Sequence, residues 1–418
     1  MTTLIKSALI FDSESSYHLQ KKDILIVDGI IKSIENTIES KADYNIVEKE
    51  NLHVSCGWFD SSVCFGEPGF EERETISHGL QVAAKSGFTA IAVNSNTKPV
   101  IDNTTSVSFL KNKALNNATK LYPIACLTQE CKGKEMAELY DMQQNGAVAF
   151  GDYKKAIEND NLLKVALLYA QNFNGLVLSF PKNNAISGNG VAHEGKNSTL
   201  LGLKGIPALA EHIQIARDLF LLEYTGGKLH IPTISTEKSV QLIKEAKNKG
   251  LQVTCSVASH HLFLTDDELH GFDSNYKTNP PLRTKKDTTA LQKAVEKGII
   301  DCVTSDHNPK DIEEKKVEFS IAEDGTIGLE SCFGVANAVL DLSITIKSLT
   351  TKGKSIFGIE NHTIKEGNIA ELTFFNPEKK YTFSKEDILS TSKNSAFLGK
   401  ELKGIAYGVF ANNQLISK

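Results

Sequence analysis

LHIPTISTEKSVQLIKEAKNKGLQVTCSVAS, residues 229–259, reads as strand, helix, strand. The outer pieces are short apolar runs. The middle piece carries apolar residues at helical spacing and ends at Gly250, a helix-stop signal. Two strands joined by an amphipathic helix are parallel, because the helix carries the chain back to the same edge. The pattern repeats outward in both directions. FTAIAVN precedes SVSFLKNKALNNAT, LYPIACLT precedes KEMAELYDMQQNG, and AVAFGD precedes NLLKVALLYAQNFN. LVLSF then precedes a long loop and IPALAEHIQIARDLFLLEYTGG, and DCVTSD follows residue 300. About eight such units suit a (β/α)8 TIM barrel better than an open sheet. No glycine-rich phosphate loop follows the early strands.

Both chain ends differ from the middle. ALIFD, DILIVDG and IIKSI at the start, and NIAELTFFN, KKYTFS, IAYGVFANN and QLISK at the end, read as strands with little helix. Asp28-Gly29 is a hairpin signal. The predicted architecture is a barrel over 56–356, interrupting a small β-sandwich domain built from 1–55 and 357–418.

Composition narrows the function classes. With 46 Lys+Arg against 51 Asp+Glu the net charge is −5, which argues against nucleic-acid binding. No apolar run reaches membrane-spanning length, and MTTLIKSALIFDSESSYH lacks a signal peptide's apolar centre, so a cytoplasmic location is expected. The seven cysteines are scattered and never spaced CxxC, which predicts buried free thiols.

In a barrel of this type the chemistry sits where strands end. There the chain carries EPGFE at 67–71, GFTAIAVNSNTKPVID at 87–102 and HEGKNSTLLGLKGIPALAEHIQIARD at 193–218. NPPLR at 279–283, SDHNP at 305–309, EGNIAELTFFNP and KNSAFLGKELKGIAYGVFANNQLI complete the series. In this order they resemble the dihydroorotases of the long bacterial type, within the amidohydrolase superfamily. The resemblance implies opening or closing of a cyclic amide, with two zinc ions holding a bridging hydroxide. It places the catalytic carboxylate on Asp306, a bridging carboxylate on Asp152, and substrate contacts on Asn96, Asn279 and Gly328.

The same resemblance exposes a departure. The family's first strand ends Asp-x-His-x-His-x-Arg, whereas this chain has Asp60, Ser62, Cys64 and Gly66 there. Two further family histidines fall on Ser179 and Thr233, and another on Lys310. Of six metal positions, only Asp152 and Asp306 keep a carboxylate, and two carboxylates make a poor zinc site. No bound cofactor is expected, and zinc is the ion that the family implies. The resemblance is to the non-catalytic members that lack these ligands and serve as scaffolds for aspartate transcarbamoylase, commonly as homodimers. An active cyclic-amide hydrolase with an altered site and a small-metabolite binding module are the alternatives.

Further expectations concern single residues. Asp306 is expected to be either solvated or paired with a nearby lysine, Lys310, four positions on, being the candidate. His230 and Thr233, at an odd offset on a strand, are expected on opposite faces. His260 and His261 are assigned to packing, His307 to a structural or supporting donor role, and His193 to a loop. If the site is vestigial, alanine at Asp152 or Asp306 should leave folding nearly unchanged. Histidines at 62, 64, 179 and 233, with arginine at 66, are expected to rebuild a site.

Overall fold

The computed structural model describes residues 1–418. Eight parallel strands follow one another in order around the barrel: β1 (Trp58–Val63), β2 (Phe88–Val93), β3 (Lys120–Ala125), β4 (Ala149–Phe150), β5 (Val177–Leu178), β6 (Leu229–Ile231), β7 (Val253–Ala258) and β8 (Cys302–Thr304). Each pairs in parallel with its neighbour. β8 meets β1 mainly through side chains. The buried Asp60 carboxylate accepts from the Ser305 amide at 3.0 Å and from the Thr304 hydroxyl. Cys64 N donates to His307 O at 2.7 Å. Burial raises the Asp60 carboxyl to about 6, against the pull of these hydrogen bonds.

The deciding stretch folds as read. The helix Glu237–Asn248 starts at Thr236, whose side chain accepts from Ser239 N, and buries Val240, Ile243 and Ala246. It ends in a Schellman motif. Gly250, at φ +83°, donates to Lys247 O, and Leu251 donates to Ala246 O. Burying each large apolar side chain of this face contributes roughly 1.5–3 kcal/mol. Such faces join the strands' outer side chains in a core of 55 buried residues.

Two helices are shorter than their patterns suggest. The helix read over 134–146 spans only Leu139–Gln144, because Ala137 N donates to Leu127 O and Met136 bridges Thr128. The one read over 106–119 spans Thr104–Lys113, started by an Asn103 cap.

The strands of both chain ends form one hydrogen-bonded system of eight, with a core of 16 buried residues of its own. Asp28 and Gly29 turn the hairpin between Lys21–Val27 and Ile30–Glu35 with φ +47° and +81°. Leu372–Thr382 pairs with His53–Cys56, joining the two ends. All seven cysteines are free and buried. No helix is long and apolar enough to cross a membrane.

Candidate functional site

The C-terminal ends of the barrel strands surround a small, nearly filled cavity of about 20 Å³. Four of the expected positions line it: Ser62, Asp152, Thr233 and Asp306. Asn96, Asn279, Gly328, Cys64 and Ser179 do not line it. Residues that the sequence reading passed over do, chiefly Asn94, Tyr153 and Lys154.

Lys154 is the most consequential of these. Its Nζ lies 2.8 Å from Asp306 Oδ2. Asp306 is 1% exposed and Lys154 11%, so the pair is shielded from water. The other carboxylate oxygen, Oδ1, accepts from Ser62 Oγ at 3.1 Å, and Asn94 Nδ2 donates to the same Ser62 Oγ at 3.1 Å. The expected partner, Lys310, instead reaches Glu323 at 3.2 Å. Closeness in sequence misled here, because residue 310 already lies on a loop leaving the mouth. A strand-end lysine after the carboxylate in AFGDYK was the signal available for Lys154.

Asp152 is committed to the backbone. Its Oδ1 accepts from Leu127 N and Thr128 N, both at 3.0 Å, and its Oδ2 accepts from the Thr128 hydroxyl. Burial raises its carboxyl, and these bonds pull it back. Ser179 turns outward, donating to Asp218 Oδ2 at 2.6 Å. Cys64 is buried, and burial pushes its thiol up to about 12, so it stays protonated at neutral pH. The Tyr153 hydroxyl is buried without a hydrogen-bond partner. Burial raises its pKa, and Asp306 adds to that.

His230 and Thr233 line the same cavity, contrary to the offset argument. β6 stops at Ile231, and Thr233 takes φ +51°, which re-aims it. Lys154 and Asp306 are left-handed too, at +52° and +48°. Each such non-glycine residue costs on the order of 1–3 kcal/mol, and such strain gathers at functional sites. His230 is no free ligand. Its ring nitrogens meet Thr254 Oγ1 at 2.9 Å and Ser256 Oγ at 3.3 Å, and burial pushes its pKa down to about 3.

The remaining histidines are held by their surroundings. His307 Nδ1 accepts from Gly328 N at 3.1 Å, so this ring atom is an acceptor where a donor was expected. His261 Nε2 meets Pro280 O at 3.1 Å, and the His260 ring lies tilted against it at 52°, with centroids 4.4 Å apart and both its nitrogens unpartnered. His193 Nδ1 accepts from the buried Arg283 at 3.0 Å. Gly328 faces Ser305 O, which an added Cβ would approach to 2.5 Å. Gly66 is more confined. A Cβ there would lie 1.7 Å from Phe70 O, and Phe70 N donates back to Gly66 O. The loop has closed over the position, so an arginine cannot simply be restored.

The comparisons with known proteins agree with this architecture. Residues 53–239 match the family model described as Dihydro-orotase-like. A protein named dihydroorotase from Geotalea daltonii is 36% identical over 424 residues, covering 100% of both chains. Another from Pelotomaculum thermopropionicum is 38% identical, covering 100% of this chain and 98% of its own. Among solved structures, an L-hydantoinase (dihydropyrimidinase) from Arthrobacter aurescens superposes with a TM-score of 0.85 at 19% identity, covering 100% of this chain and 96% of its own. At that identity it establishes the fold alone, a TIM barrel with a β-sandwich. On full-length similarity to named relatives, the chain belongs to the dihydroorotase family of cyclic amidohydrolases.

Proposed function

We propose that this chain is a non-catalytic, metal-free-mouth member of the dihydroorotase family, serving pyrimidine biosynthesis as a scaffold or regulator. The observation that carries the reading is the ion pair of Lys154 with Asp306 at 2.8 Å. An ammonium there supplies the positive charge that a metal would otherwise bring to this carboxylate. The other donors also fail to fit the family's two-zinc centre. Ser62, Ser179 and Thr233 offer neutral hydroxyls, and Cys64 does not line the cavity. Gly66 offers no side chain to grip a substrate carboxylate.

Aspartate transcarbamoylase is the partner to test first, with the chain as a homodimer. The test is turnover in both directions, ring opening of dihydroorotate and ring closure of carbamoyl aspartate, with and without added zinc. The expected rate equals that of Asp306→Asn. Turnover that Asp306→Asn abolishes overturns the reading and returns the site to hydrolysis. Light scattering of the chain mixed with aspartate transcarbamoylase tests the scaffold role separately, and two unmixed species would refute that partner.

A further inference from the structure

The loop after β3 brings two thiols to the Asp152 carboxylate. Cys126 Sγ, Cys131 Sγ and an Asp152 carboxylate oxygen all lie within 4.8 Å of one another, and all three residues are buried. Each is fixed by its own local structure. Cys126 directly follows β3 and donates its N–H to Ile101 O at 2.7 Å. The chain then turns tightly, with Glu130 and Cys131 both left-handed at φ +54° and +51°. Asp102 Oδ2 accepts from Glu130 N at 2.8 Å, and Lys155 Nζ donates to Cys131 O at 3.2 Å. Asp152 is held from the other side by the Leu127 and Thr128 amides. Ser95 Oγ stands 3.8 Å from Cys131 Sγ.

We propose that Cys126, Cys131 and Asp152 form a binding site for one thiophilic divalent cation, Zn2+ above all. Two sulfurs and a carboxylate oxygen are three of the four donors of a tetrahedral zinc site, and Ser95 Oγ or water completes it. Bond lengths of about 2.0–2.3 Å put tetrahedral donors roughly 3.3–3.8 Å apart, so the cluster contracts on binding. Binding displaces one proton from each thiol, and the two thiolates and carboxylate then face the dication. Asp152 also lines the mouth cavity. The site shares no residue with the Lys154–Asp306 pair. It fastens the loop after β3 to the loop after β4, so its role is to rigidify that side of the mouth. It does not depend on whether the mouth is catalytic.

The experiment is titration of the reduced, chelator-treated full chain with Co2+, followed by displacement with Zn2+. The expected result is a thiolate-to-cobalt charge-transfer band that saturates at one ion per chain. Cys126→Ser and Cys131→Ser each abolish the band and weaken zinc by more than about 100-fold, beyond the loss that outer partners produce. Cys126→Ala and Cys131→Ala repeat the test with side chains that cannot ligate at all, and a metal-free thermal melt confirms that each variant is folded. Cys64→Ser and Asp306→Asn leave the band intact. Absence of the band in the wild-type chain overturns the proposal. So does its survival in both Cys126→Ser and Cys131→Ser, or its loss in Cys64→Ser.

Discussion

Replacing Lys154 by methionine removes the cation from Asp306 while keeping an unbranched side chain of similar reach. Asp306 would then be a carboxylate 1% exposed, with Ser62 Oγ as its remaining side-chain donor. Breaking a buried pair by removing one partner costs about 3–5 kcal/mol, because the surviving charge is left uncompensated. With an unfolding entropy near 2.1 cal/mol/K per residue, 418 residues give about 0.9 kcal/mol/K. The expected fall in melting temperature is therefore about 3–6 °C. Asp306→Asn alone should cost less, since Lys154 is nearer the rim and can turn to solvent. Asparagine is the right replacement, because position 306 is left-handed at φ +48° and asparagine tolerates that region. The double variant Lys154→Met/Asp306→Asn carries no buried charge and should recover most of the loss. Calorimetry of the four proteins closes the cycle. If Lys154→Met melts at or above the wild type, or the double variant melts below Lys154→Met, the pair does not neutralise the site.

Three other outcomes follow from the same geometry. Asp152→Ala strands the Leu127 and Thr128 amides and should cost roughly 2–6 kcal/mol in metal-free denaturant melts, at about 1–3 kcal/mol per unsatisfied group. Such a loss would contradict the expectation that a vestigial aspartate is dispensable, and an unchanged midpoint would refute the reasoning. His230 and His260 are pushed by burial to about 3, so in the unfolded chain they take up protons that the folded chain refuses. Their contribution is present above pH 6.5 and lost as pH falls, about 1.4 kcal/mol each at pH 5.5. Asp60, raised to about 6, works the other way and returns less than about 1 kcal/mol over that window. Urea midpoints should therefore fall between pH 7 and 5.5, and a rise would contradict the buried neutral imidazoles. Gly66→Arg should lower the melting temperature without conferring dihydroorotate binding, because its Cβ meets Phe70 O at 1.7 Å. Isothermal titration showing tight dihydroorotate binding would show that the loop reopens.

The barrel was legible from the chain because its signals are local. Apolar runs, helical spacing, the Thr236 cap and the Gly250 stop each act within a few residues, and repetition of the unit implies parallel strands. That positions 62, 64, 179 and 233 carry no histidine was equally plain from the chain, while the expectation of histidines there came from the family resemblance. Tertiary structure decided what those strand ends do instead. Lys154 and Asp306 stand 152 positions apart, and only barrel closure brings them together. Asp152 is turned by amides of a neighbouring loop. Thr233 escapes strand alternation because its strand ends first and its backbone is left-handed. The two cysteines looked scattered in the sequence, yet a tight turn and a carboxylate from the next strand's loop gather them. Periodicity encodes which face of an element is buried. It carries no information about which side chains from different elements share the cavity, because that depends on closure and on the few residues where the regular backbone stops.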